Sequence, residues 1–177
     1  MDIGRGMITV GKESNMHLIL SETLTPVLQA HLPLIASRLA ALLPQAEFHH
    51  VGATAIPGAL TKGDVDVMLR VNAEDFPGAV AALKSQFVTK QPQNWTDTFA
   101  SFGDDASFPF PLGIQLVIRN AENDIFLFLH QYFTADPSHL AEYNRIKLEH
   151  APLGPEEYWK AKDRLLSSIL AARSTNR

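Results

Sequence analysis

Cysteine is absent from the 177 residues. That removes disulfides, thiolate metal sites and a cysteine nucleophile together. Long apolar runs are missing as well, and no stretch approaches the about 18 residues of a membrane-spanning helix. Excess positive charge is also lacking. Lys and Arg number 15 against 19 Asp and Glu, giving a net charge of −4 and a pI of about 5.9. Bulk nucleic-acid binding leaves a strongly basic footprint, so it is not expected here. The first residues, Met1-Asp2-Ile3-Gly4-Arg5-Gly6, lack the basic-then-apolar pattern of a signal peptide. A cytoplasmic location is the resulting expectation, and the sequon Asn94-Trp95-Thr96 then carries no meaning. Several catalytic motifs are missing too. Gly58 is followed by Ala59, which breaks a P-loop between Gly52 and Lys62. Gly4-x-Gly6 lacks the third glycine of a dinucleotide fingerprint, and no Gly-x-Ser-x-Gly elbow occurs.

What is present suits an ordinary globular protein, with 46% apolar and 19% charged residues. Residues 1–177 read as a single domain, with residues 1–20 as a loose, partly extended lead-in. Ser21 to Leu43 reads as a helix. Thr25 is its expected cap and Pro26 its first helical residue, with Pro33 either kinking it or starting a second one. Glu47 to Val51, Asp64 to Val71 and Leu112 to Arg119 read as strands. A helix capped by Asp75 runs to about Gln86. Short aromatic strand fragments fill Phe87 to Pro111, with a turn at Gly103-Asp104-Asp105. Three helices follow, at about 124–133, 137–150 and 156–172, the last introduced by Gly154-Pro155-Glu156-Glu157. Regular βαβ alternation is missing, so the expected class is α+β.

The stretch from His49 to Val67 carries the chemistry. A strand ends in Gly52-Ala53-Thr54, small residues that let backbone N–H groups and the Thr54 hydroxyl approach an anion. Lys62 adds a point charge suited to phosphate. Asp64 and Asp66 stand at i and i+2, on one face of a strand and roughly 6.5–7 Å apart. Two carboxylates so placed suit Mg²⁺, a cation commonly held by one or two carboxylates plus substrate phosphates. A D-x-D pair alone is more often a solvated strand edge. Its pairing with a small-residue turn, joined by a Gly/Pro loop, is what favours function.

These residues resemble a known family. Gly52-Ala53 followed by Asp64-Val65-Asp66-Val67 is similar to the nucleotidyltransferase pattern of apolar-Gly-[Gly/Ser], a spacer, then Asp-apolar-[Asp/Glu]-apolar. His50-Val51-Gly52-Ala53-Thr54-Ala55-Ile56-Pro57-Gly58 resembles the signature H-[IV]-G-S-T-[AS]-[VI]-P-G of the GrpB family within that superfamily. Tyr143-x-x-x-Lys147 and Tyr158-x-x-x-Lys162 resemble two further elements of GrpB proteins. The resemblance implies a nucleotidyltransferase-like mixed β-sheet flanked by helices. It implies Asp64 and Asp66 as catalytic and metal-binding acids for Mg²⁺. ATP or another nucleoside triphosphate would be the substrate, with a small molecule or a protein as acceptor. His50, Gly52, Ala53, Thr54, Lys62, Gln115, Lys147 and Lys162 are the expected nucleotide- and phosphate-binding residues.

The chain departs from the pattern in four places. Ala53 replaces the usual Gly or Ser. Only Asp66 aligns with the fixed acid of many GrpB proteins, and Asp64 is an addition. Gln115 stands on the strand where catalytic nucleotidyltransferases carry another carboxylate and GrpB proteins tend to have His. His130-Gln131 falls where Arg-Asp is usual. These departures leave a second reading open, a non-catalytic nucleotide- or ligand-binding module on the same fold. Each Tyr/Lys pair also has a plainer reading, tyrosine packing with a lysine stem lying along it. The phenylalanines 99, 102, 108 and 110 read as core or pocket wall. His49 and His50 point to opposite sheet faces, and His130, His139 and His150 lack zinc spacing.

Overall fold

The computed structural model describes residues 16–175. The expected lead-in therefore lies outside the described residues as far as residue 15. These residues fall into two compact units. The larger is Leu18–Arg145; the smaller takes the chain from Ile146 onward, together with Met16 and His17.

The larger unit begins with β1 (Ile19–Leu20) and a 3-10 turn at Ser21–Leu24, which leads straight into α1 (Thr25–Leu42). Leu24 occupies the N-cap position without a side-chain cap. Thr25 thus lies inside the first turn and is not the cap that the sequence suggested. Pro33 sits within α1 without dividing it. Pro33 and Gln29 are exposed, so water can serve the carbonyl that the proline leaves without a helical donor. Leu28, Ile35 and Leu39 form the buried face of α1.

The strands β2 (Glu47–Val51), β4 (Val65–Val71), β5 (Val88–Lys90), β6 (Phe99–Asp104) and β7 (Leu112–Ile118) make one sheet of order β2-β4-β7-β6-β5. The central pair, β4 and β7, is parallel and the other pairs are antiparallel. A short β3 (Leu60–Thr61) pairs with β1. Helix α2 (Phe76–Lys84) follows β4; Asp75 occupies its N-cap position but makes no side-chain cap bond. Val65, Val67, Leu69 and Val71 of β4 join Leu112, Ile114 and Leu116 of β7 on one face. They pack with α1, α2, Phe102 and Phe110 in the main core. Each such side chain stabilises the fold by roughly 1.5–3 kcal/mol. Val51, Met68 and Val117 lie on the opposite face, with Phe99, Phe126 and Leu127 against them. Burial on both faces is why β4 and β7 read as nearly continuous apolar runs.

The expected turn at Gly103-Asp104-Asp105 begins later than the sequence suggested, because Gly103 and Asp104 are the end of β6. Asp104 makes the turn from there. Its Oδ1 accepts N–H bonds from Ala106 (3.1 Å) and Ser107 (2.9 Å), and Arg38 donates to Oδ2 at 3.2 Å. The hydrogen bonds from Ser107, first among these partners, hold the carboxyl at about 2. Helix α3 (Phe126–Ala135) and α4 (Pro137–His150) come next.

The smaller unit holds α5 (Pro155–Thr175), entered through Gly154 at φ 101°. Tyr158, Ala161 and Ile169 are buried, and Lys160 pairs with Glu156 at 2.7 Å. No helix among the described residues is long and apolar enough to cross a membrane.

Candidate active site at Gly52 and Asp66

The register of the sheet sets the candidate site. Val51 lies opposite Asp66 on β2, and Gly113 lies beside Asp66 on β7. Side chains alternate along a strand, so Asp66 shares the second sheet face with Met68, Arg70 and Gln115. Gly52, the residue after β2, has φ 75°, which a side chain rarely adopts. A Cβ at Gly52 would fall 2.8 Å from Asp66 Oδ2, and one at Gly113 would overlap Asp66 Oδ1. The Asp66 carboxylate therefore lies in a slot walled by two glycines. Gln115 Nε2 donates to Asp66 Oδ1 at 3.3 Å.

Asp64 stands one residue before β4 begins, with its side chain 37% exposed. Lys62 Nζ reaches Asp64 Oδ2 at 3.5 Å. The loop between Gly52 and Asp64 is held on two sides. Ser21 Oγ donates to the Ile56 carbonyl (2.8 Å), Ser21 N–H to the Ala59 carbonyl, and Gly58 N–H to Glu22. From α4, Asn144 accepts the Leu60 N–H and donates to the Gly58 carbonyl, each at 2.8 Å. So many crossings on a Gly/Pro loop fix its path before any ligand arrives.

Thr54 is buried, and its hydroxyl is 2.9 Å from His50 Nε2. Burial, with a smaller push from His130, lowers the His50 pKa to about 4. His50 is thus a neutral ring that orients Thr54. The buried His130 Nδ1 makes no hydrogen bond. Ala53 opens the 3-10 turn Ala53–Ala55.

Of the expected residues, the larger unit brings together Gly52, Asp66 and Gln115, and Lys62 pairs with Asp64 two residues before Asp66. His50 lies opposite Val67, on the other sheet face, and meets Thr54 beside α1. Lys147 and Lys162 belong to the smaller unit. There Lys147 is 1% exposed, and Lys162 stands 4.8 Å from the centre of the Trp159 ring. Two residues that shape the site escaped the sequence reading. Gly113 was passed over, although a glycine inside a buried strand signals close backbone approach. Asn144 gave no signal at all.

The donor chemistry of the site fits a hard divalent cation. Asp64 and Asp66 offer carboxylate oxygens, and the glycine walls give the Asp66 carboxylate its room. Among the described residues no group of three or more His, Asp or Glu is placed to hold a metal, so the pair would share the cation with substrate oxygens and water.

A family model described as GrpB protein matches residues 23–172. The chain belongs to the GrpB family. That family lies within the nucleotidyltransferase-like superfamily. A UPF0157 protein of Vibrio cholerae is 29% identical over 137 residues, covering 75% of this chain and 70% of the relative. Among solved structures, the conserved protein GrpB from Enterococcus faecalis superposes with a TM-score of 0.60 at 16% identity. That match covers 81% of this chain and 95% of the other. It establishes the expected fold, a mixed α+β sheet flanked by helices. The Cid1 poly(U) polymerase with MgGTP bound aligns at a TM-score of 0.48 and 16% identity, over 74% of this chain and 42% of that one.

Proposed function

We propose that this GrpB chain binds a nucleoside triphosphate with Mg²⁺ and transfers its nucleotidyl group to a small-molecule or protein acceptor. The observation that carries the reading is the Asp66 carboxylate in its slot between Gly52 and Gly113, with Asp64 two residues before it. Asp64 and Asp66 would hold the cation. When bound, Mg²⁺ supplies Lewis-acid stabilisation of charge on phosphoryl oxygens. The Gly52-Ala53-Thr54 turn and Lys62 would face the phosphates. In the tautomer that carries its proton on Nε2, a neutral His50 donates to Thr54 and would leave the threonine hydrogen to a phosphate oxygen. Gln115 keeps Asp66 turned.

One observation favours the second reading, nucleotide binding without transfer. The residue that meets Asp66 from β7 is an amide. An amide cannot serve as a base, and it binds Mg²⁺ more weakly than a carboxylate.

Thermal melting with each common nucleoside triphosphate, with and without Mg²⁺, tests both readings. At a hundredfold excess over Kd, binding stabilises by about 2.7 kcal/mol, which for a chain of this size is about 5–10 °C. Both readings expect Mg²⁺-dependent stabilisation that Asp66→Asn loses, and no response from the native chain to any triphosphate would sink both. Pyrophosphate release with trial acceptors supports transfer. Stabilisation without release supports the binding module.

A further inference from the structure

Between α1 and the turn after β2 lies a cavity of about 450 Å³, a size that suits one small molecule. Leu28, Leu32 and Pro33 of α1 line one side of it, and Thr54 and Ala55 line the other. Among the described residues, no Asp, Glu, Lys or Arg lines it. His50 borders it as a neutral ring, already engaged with the buried Thr54 hydroxyl at 2.9 Å. An ion entering there would give up water with no counter-charge to meet it, so the cavity favours an uncharged guest. The α1 wall also carries a polar group that the helix does not serve. In a helix each N–H bonds the carbonyl four positions before it. Pro33 lies inside α1 and has no N–H, so the Gln29 carbonyl goes without that donor. Gln29 and Pro33 both line the cavity and both are exposed. The carbonyl therefore takes its donor from what enters, water or ligand.

We propose that this cavity is a second ligand site, for an uncharged small molecule with an apolar body and an N–H or O–H donor that bonds the Gln29 carbonyl beside Pro33. Leu28, Leu32 and Ala55 bury the apolar body, and the donor replaces the water that the carbonyl otherwise holds. Pro33 sets the preference, because it leaves open an acceptor that a regular helix would occupy. The inference stands apart from the Mg²⁺–triphosphate reading. His50, opposite Val67, faces away from the side of the sheet that carries Asp66.

Phenol and toluene make the test pair. They match in size, only phenol carries a donor, and phenol is uncharged at neutral pH. Benzoate is the charged control. Each is titrated into the full chain without Mg²⁺ or triphosphate, so the outcome does not depend on the other site. The readout is the methyl NMR signals of Leu28, Leu32 and Ala55. Phenol is expected to move all three and to bind about three- to tenfold more tightly than toluene, the worth of one net hydrogen bond. Benzoate is expected to leave them in place. Pro33→Ala restores the N–H, and the helix then closes on the Gln29 carbonyl. Alanine suits a helix interior, so this variant is expected to fold, and to bind phenol no more tightly than toluene. Ala55→Leu fills the cavity and is expected to abolish the shifts at Leu28 and Leu32. Signals that neither phenol nor toluene moves, or shifts that persist in Ala55→Leu, overturn the site. Equal affinities for phenol and toluene, or a phenol preference that survives in Pro33→Ala, overturn the role of the carbonyl. Benzoate binding as tightly as phenol overturns the choice of an uncharged ligand.

Discussion

On β4, Arg70 and Asp66 point to the same side of the sheet, and their surroundings differ in kind. The Arg70 guanidinium meets Asp124 at 2.7–3.1 Å and Glu47 at 3.0–3.2 Å. Arg119 and His49 also reach Glu47, at 3.3 and 2.7 Å. Hydrogen bonds to Asp124, the largest influence, raise the Arg70 pKa further. Side chains therefore fill and pair this end. At Asp66 the flanking residues are glycines, and the amide of Gln115 meets the carboxylate at 3.3 Å. The Arg70 end stabilises the join between β2, β4 and the start of α3. At the Asp66 end side chains are given up on both flanks, and the space a Cβ would need holds the carboxylate.

The comparison can be broken most forcefully at the glycines. Gly52→Ala forces a side chain into positive φ, costing about 1–2 kcal/mol, and pushes a methyl against Asp66, costing about 1–3 kcal/mol more. Gly113→Ala meets the same carboxylate from β7. Both are expected to lower the urea midpoint and abolish the Mg²⁺–triphosphate response. A tolerated methyl with the response intact would show that the slot is not the site. Arg70→Leu is next. With the Arg70 and Asp124 side chains 15% and 6% exposed, breaking the pair is expected to cost about 2–4 kcal/mol. The triphosphate response should survive, measured at a temperature where the variant is folded. Asp66→Asn inverts that result: stability is expected to change by less than about 1 kcal/mol, while the response disappears. If both variants lose the response equally, the two ends are not separable.

The smallest effect is one of pH. Protonation of His50 is disfavoured in the folded chain, whose pKa there is about 4, against 6.5 when unfolded. Above 6.5 the ring is neutral in both states. As the pH falls from 6.5 to 4 only the unfolded state takes up the proton, so stability drops across that window and the loss is complete below it. The ring is partly exposed, so the melting temperature is expected to fall by only on the order of a few °C. His50→Gln should flatten this slope. Asp104, at about 2, acts in a lower window and does not obscure it.

Much of the fold was legible in the sequence because local pattern and tertiary need agree. The β2, β4 and β7 segments carry apolar residues on both faces, and helices stand where the periodic segments of the C-terminal part place them. Boundaries slipped where a residue has two uses. Thr25 looks like a cap but begins the helix, and Asp104 looks like a turn residue but ends a strand and builds the turn from there. Within the site, Gly52, Asp64 and Asp66 were legible as one local stretch. Gln115 was legible only through the family resemblance, which placed a polar residue on a later strand. Gly113 and Asn144 were not, because their meaning arises from partners far along the chain. Gln115 and Asp66 are 49 residues apart, and Leu60 and Asn144 are 84 apart.

The sequence by itself determined where a small-residue turn and two acidic residues would occur. Turn chemistry and strand alternation act over a few residues and need no partner. Only the tertiary structure decided how Asp66 differs from Arg70. Alternation gives both the same sheet face. The parallel pairing of β4 with β7 sets Gly113 beside Asp66, while Asp124, ahead of α3, comes to meet Arg70. Which polar group meets acidic side chains and which lies between glycines depends on what the neighbouring strand and helix deliver to that position.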